Sequence, residues 1–249
     1  MHRRCFTLHG KGMKEKEVTS TENRSKELQE RSSSGEIAAF LKAAGEVNPA
    51  QNGRLIFALD ATMSRQPTWD RAVNIQASMF DVVDKTGGLA VQLVYFRGLD
   101  ECRASRWVIN AAALRDLMVG IQCQGGNTQI AKILNHARRE TAKAKVSALV
   151  YIGDAMEENI DMLCRRAGEL GMKGVRGFFF QEGRDATAER GFRQMARLTG
   201  GAYFHLGPES AKELAELLGA VAIYARGGLK ALAGSGKREA LLLLEQLRT

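Results

Sequence analysis

Two aspartates and three hydroxyl side chains stand just beyond apolar runs of the 249-residue chain, where they could act together. Asp60, Thr62 and Ser64 follow the run Leu55–Leu59, Thr128 lies in the segment CysGlnGlyGlyAsnThrGln, and Asp154 follows the run Ala148–Ile152. Carboxylates and hydroxyls make an all-oxygen donor set of the kind Mg²⁺ takes in near-octahedral geometry, with Mn²⁺ or Ca²⁺ as alternatives. Because the hydroxyls are neutral, such a set leaves the ion partly uncompensated and electrophilic toward an incoming carboxylate. An open coordination position is therefore expected. Each of these residue types also caps helices, so a single one carries little weight. Their joint placement in three loops is what points to a metal.

For the loops to meet, the strands before them must end on one side of a sheet. The chain alternates apolar runs with amphipathic stretches, the pattern of βαβ units. Leu55–Leu59, Leu89–Phe96, Ala148–Ile152 and Val175–Phe180 are apolar on both faces, as strands covered on two sides must be. Arg103–Ile109 alternates like a half-exposed strand, and Ala202–His205 reads as a late edge strand. Helical stripes run through Trp69, Val73, Ala77, Phe80 and Val83 and through Ile130, Ile133, Leu134 and Ala137. Further helices fit 111–119, 159–170, 187–198 and 210–224. The expected fold is α/β: a doubly wound, mostly parallel six-stranded sheet with helices on both faces and one antiparallel edge strand. In such sheets ligands bind beyond the carboxyl ends of the strands, where strand order reverses. That rule selects the five residues named above.

Residues 1–34 lack a sustained apolar period and read as a mobile polar tail, and 35–51 as a short helix and linker. The main domain is expected at 52–224, and 225–249 as a helical appendix hinged by Gly227, Gly228, Gly234 and Gly236. GlySerGlyLys at 234–237 echoes a phosphate-binding loop, but Ala231 replaces its first glycine and Arg238 its Ser/Thr, so it is not read as one.

The net charge is +8 and the pI near 9.5. The basic residues are interleaved with acids, as at 138–145, and aromatics are not gathered among them, which argues against a nucleic-acid footprint. Cys5, Cys102, Cys123 and Cys164 show no metal or redox spacing and read as thiols of a reducing cytoplasm. No signal-like apolar stretch follows the N-terminal basic residues, and no run of about 18 apolar residues occurs, so no membrane partner is expected.

The five residues resemble the metal-ion-dependent adhesion site of the von Willebrand factor A domain family, which reads Asp-x-Ser-x-Ser, then a distant Thr, then a distant Asp. Asp60, Ser64, Thr128 and Asp154 agree with that pattern, and Thr62 replaces the middle serine with another hydroxyl. The resemblance covers about 52–224. It implies a non-enzymatic module whose metal takes an acidic residue of a protein partner, and, by similarity to bacterial relatives, an ATPase or chaperone-like partner. Ala155 departs from the glycine many relatives carry after the last Asp. The acidic pair Glu157 and Glu158 is read as first-turn acids of the helix from Asn159.

Two other readings compete. In a haloacid-dehalogenase-like phosphatase Asp60 would be the nucleophile, but position 62 lacks the general acid, and the phosphate clamp would have to be Lys143 or Lys145. In a scaffold the metal site would be vestigial, and the tail or appendix would make the contacts.

Overall fold

The computed structural model describes residues 53–65, 89–207 and 211–248. The expected tail, the 35–51 helix and the Trp69 helix lie outside the described residues. The elements are β1 (Gly53–Asp60), a single 3-10 turn (Met63–Arg65), β2 (Leu89–Arg97), β3 (Glu101–Val108), α1 (Ala111–Val119), α2 (Ile130–Lys143), β4 (Ala148–Gly153), α3 (Ile160–Met172), β5 (Arg176–Glu182), α4 (Ala186–Leu198), β6 (Ala202–Leu206), α5 (Ala211–Ala233) and α6 (Arg238–Arg248).

Six strands form one sheet in the order β3-β2-β1-β4-β5-β6. All neighbours are parallel except β2 and β3, so the antiparallel edge strand is the half-exposed run that begins near Arg103. The pleat sorts the apolar runs by parity, because successive side chains point to opposite faces. Leu55, Phe57, Leu59, Leu93, Phe178 and Phe180 pack on one face with Leu114 of α1 and with Leu217, Leu218 and Val221 of α5. Ile56, Ala58, Phe96, Leu149, Tyr151 and Phe179 pack on the other with Ile133 of α2, Leu163 of α3 and Phe192 of α4.

α5 runs nine residues beyond the expected end at 224 before the chain turns into α6. Gly228, at φ 66°, provides the break within it, a left-handed conformation that favours glycine. Leu232, Ala240 and Leu243 from the segment expected as an appendix are buried in the same core as α5. The 234–237 segment is a helix-to-helix turn, in which the Gly234 amide donates to the Lys230 carbonyl. Among the described residues no single helix is long and apolar enough to cross a bilayer.

Strand order reverses between β1 and β4, because the chain leaves β1 for β2 on one side and returns to β4 on the other. Leu59 and Ile152 are register partners there, so Asp60 and Asp154 leave the sheet beside one another.

Candidate metal centre

Asp60 is the last residue of β1 and is fully buried. Its Oδ1 accepts the Thr62 amide at 2.8 Å, which folds the loop back on the strand end. The Thr62 and Ser64 hydroxyls lie 3.1 Å apart, Thr62 buried and Ser64 exposed. The loop is anchored to its neighbours: the Ala61 amide donates to the Phe96 carbonyl and the Gln124 amide to the Ala61 carbonyl.

The Thr128 loop reaches this end because Gly126 packs its backbone against Gly98, where a Cβ would fall 1.9 Å from the Gly98 carbonyl oxygen. Thr128 is buried, and its Oγ1 accepts the Glu157 amide at 3.1 Å while its own amide donates to Glu157 Oε2 at 2.8 Å. Glu158 accepts from the amides of Ile130 and Ala131. The acidic pair therefore serves a helix other than the expected one. Asn159 caps α3 itself, accepting from the Met162 amide, whereas the N-cap position of α2, Gln129, makes no side-chain cap. Glu157 and Glu158 supply acceptors to the α2 end, where free amides and the helix dipole favour anions. Burial still raises the Glu158 carboxyl above its ordinary range, opposed by those amides.

The helix-cap alternative fails for two of the five residues. Asp154 does not cap α3, since Asn159 does, and the Thr128 side chain bonds to the Asp154 loop rather than to α2. For Asp60 and Ser64 the helix in question lies outside the described residues.

Asp60 Oδ2 and Asp154 Oδ1 are buried and have no hydrogen-bond partner among the described residues. An unsatisfied buried acceptor costs about 1–3 kcal/mol, and more when charged. Burial pushes the Asp60 carboxyl up to about 6 against the pull of its Thr62 hydrogen bonds, and the neighbouring Asp154 charge raises it further while Arg65 lowers it. A cation beside both aspartates would satisfy the two oxygens and reverse that cost. Among the described residues no group of three His, Cys, Asp or Glu side chains gathers to hold a metal ion, so hydroxyl oxygens would have to complete the donor set, which suits a hard ion.

Arg65 escaped the sequence reading. It is buried, donates to the Ile152 carbonyl at 3.0 Å, and meets Glu182 with Nε 3.1 Å from Oε2 and Nη2 3.2 Å from Oε1. It thus ties the Asp60 loop to the ends of β4 and β5. The available signal was a lone arginine directly after the Asp-x-Thr-x-Ser stretch. Lys143, one of the two lysines considered for a phosphatase clamp, bonds Glu140 at the C-terminal end of α2. Both lysines precede β4, whereas Asp60 lies beside the far end of that strand, and six strand residues span about 20 Å, so neither reaches Asp60.

No protein-family model and no curated protein matches the chain. Solved structures do. A von Willebrand factor type A protein from Catenulispora acidiphila superposes with a TM-score of 0.56 at 17% identity over 68% of this chain, which spans 42% of that one. The SpRpn10 VWA domain superposes with a TM-score of 0.55 at 11% identity, covering 66% of this chain and 94% of that one. This is the von Willebrand factor A fold. Proximal thread matrix protein 1 from the mussel byssus, in a structure described as having a zinc-occupied MIDAS motif, superposes with a TM-score of 0.53 at 16% identity over 71% of this chain and 46% of that one. Identities this low establish the VWA fold alone. The chemistry rests on this chain's own residues.

Proposed function

We propose that this VWA domain is a non-enzymatic binding module in which Asp60, Thr62, Ser64, Thr128 and Asp154 hold a divalent cation, Mg²⁺ in first place. The carrying observation is that two buried carboxylate oxygens, Asp60 Oδ2 and Asp154 Oδ1, lack a partner among the described residues at the point where strand order reverses. The bound cation would supply an electrophilic position for a carboxylate. The chain's residues do the rest. Thr62 and its amide hold Asp60, Glu157 fixes Thr128, and Arg65 keeps the Asp60 loop on the β4 and β5 ends.

The partner is a protein presenting an Asp or Glu side chain, a class that includes the ATPase and chaperone-like partners implied by the resemblance. The cytoplasmic setting belongs to the same proposal and rests on the cysteine spacing of the sequence, which shows no disulfide framework. The occupied MIDAS motif of the mussel protein supports the same use of this fold end.

Calorimetric titration of the chelator-treated chain with Mg²⁺ and Mn²⁺ tests the metal, and capture of an acidic partner with and without chelator tests its use. Saturable heat abolished in Asp60→Asn is expected. Its absence up to millimolar Mg²⁺ would leave the vestigial-site reading standing.

A further inference from the structure

Beside the buried stripe of α2, Lys132, Asn135, His136 and Arg139 recur at i, i+3, i+4 and i+7, so all four share one face. That face lies beside Cys102 and Arg103 of β3, and the two elements border an open cavity of about 210 Å³. Among the described residues its lining contains three permanent cations, Arg103, Lys132 and Arg139, and no carboxylate. Scattered along the sequence, these charges show no cluster. The antiparallel edge strand brings them together.

Acids at the start of β3 and in the turn before it engage two of the three. Asp100 pairs with Lys132 and Glu101 with Arg103, and the Asp100 side chain is 92% exposed, a surface pair that holds its lysine weakly. Arg139 has no ion pair among the described residues, and its charge is felt at both Cys102 and His136, alongside that of Glu158 at the first and Glu140 at the second. Gln92 Nε2 donates to the Ser105 carbonyl, which turns its Oε1 toward His136 Nε2 at 2.8 Å and fixes the ring at the cavity wall. The Asn135 amide adds a neutral donor one turn before Arg139.

We propose that this cavity binds a small phosphorylated anion, inorganic phosphate or a compact phosphomonoester, with Arg139 as its principal contact. A planar guanidinium presents paired N–H donors that match phosphate oxygens, and an anion there meets two further cations, while the carboxylates around it stand outside the described lining. The volume sets the size. Sites for drug-sized ligands run to roughly 300–1,000 Å³, so this one suits a phosphate group with a short substituent rather than a nucleotide.

The test uses the full chain with chelator present, so that phosphate cannot bind through a cation at the Asp60 site. Calorimetry and thermal melting with inorganic phosphate and methyl phosphate, against chloride at matched ionic strength, should show saturable binding and a raised Tm. Arg139→Ala should weaken it at least tenfold and Asn135→Ala severalfold, with melting in chloride unchanged because Arg139 is exposed. Binding that is absent up to millimolar phosphate, equal in chloride, or unaltered in Arg139→Ala would overturn the proposal. So would a single-stranded oligonucleotide that binds far more tightly than phosphate and loses its affinity in the same variant, which would make the cavity part of a nucleic-acid track.

Discussion

Thr128 and Glu157 bond reciprocally: the Thr128 amide donates to the Glu157 carboxylate, and the Glu157 amide donates to Thr128 Oγ1. One candidate metal ligand is thereby fixed by the loop that carries another, Asp154. Groups that orient a ligand without touching the metal are typically worth 10–100-fold in affinity. Glu157→Ala should therefore weaken Mg²⁺ binding by about that factor while leaving every ligand in place. Calorimetry on the variant checks this, and unchanged affinity would show that the loops are held by other means.

Thr128→Ala and Asp154→Ala remove a neutral and an anionic ligand. Both should lose most Mg²⁺ binding and keep the fold, since these residues lie in loops outside the two cores. Asp154→Ala should also stabilise the metal-free chain, because the Asp154 charge bears on buried Asp60. A melting series with chelator and with Mg²⁺ separates the effects: the variant should melt above the parent in the first and show no rise in the second.

The raised Asp60 carboxyl gives a pH dependence of definite sign. In the folded, metal-free chain it keeps its proton up to about pH 6, whereas its ordinary value is 3.8. The folded state then binds more protons across that window, so stability contributed by this group is present below it and lost as pH rises through about 6. The loss is on the order of 3 kcal/mol. Denaturant unfolding between pH 4 and 7 should show it, Asp60→Asn should flatten the slope, and Mg²⁺ should offset the loss at the upper end by competing with the proton.

Arg65→Met should cost about 3–5 kcal/mol, because it leaves the partly buried Glu182 carboxylate without the arginine that compensates it. Arg65→Met with Glu182→Met should recover part of the loss. Urea midpoints of the two variants measure both numbers, and equal destabilisation by the single and the double would assign the effect to lost packing instead.

The strands were legible because their signal is local. Leu55–Leu59 and Val175–Phe180 are apolar on both faces wherever they are read, and the ladder merely extends each by a residue or two, into Asp60 and Glu182. The candidate ligands were legible for a related reason, since residues just beyond a strand share its carboxyl end. What holds the site together was not. Glu157 and Glu158 look like acids of the helix that follows them, yet their acceptors go to α2, 27–29 residues earlier. Arg65 and Glu182 are 117 residues apart. No periodicity encodes such pairs; they are set by strand order.

β6 is an edge strand, and the Tyr203 amide on it donates to the Gln246 side chain of α6 at 3.1 Å. A glutamine thus stands where the next strand's carbonyl would be, and α6 covers the edge with Leu243 and Leu244 turned inward. The last eleven residues of regular structure act as a seal against sheet-to-sheet growth. A chain cut before Arg238 would keep its six strands and its loops, but it would present a bare amide beside newly exposed leucines, and its first failure would be self-association rather than loss of fold.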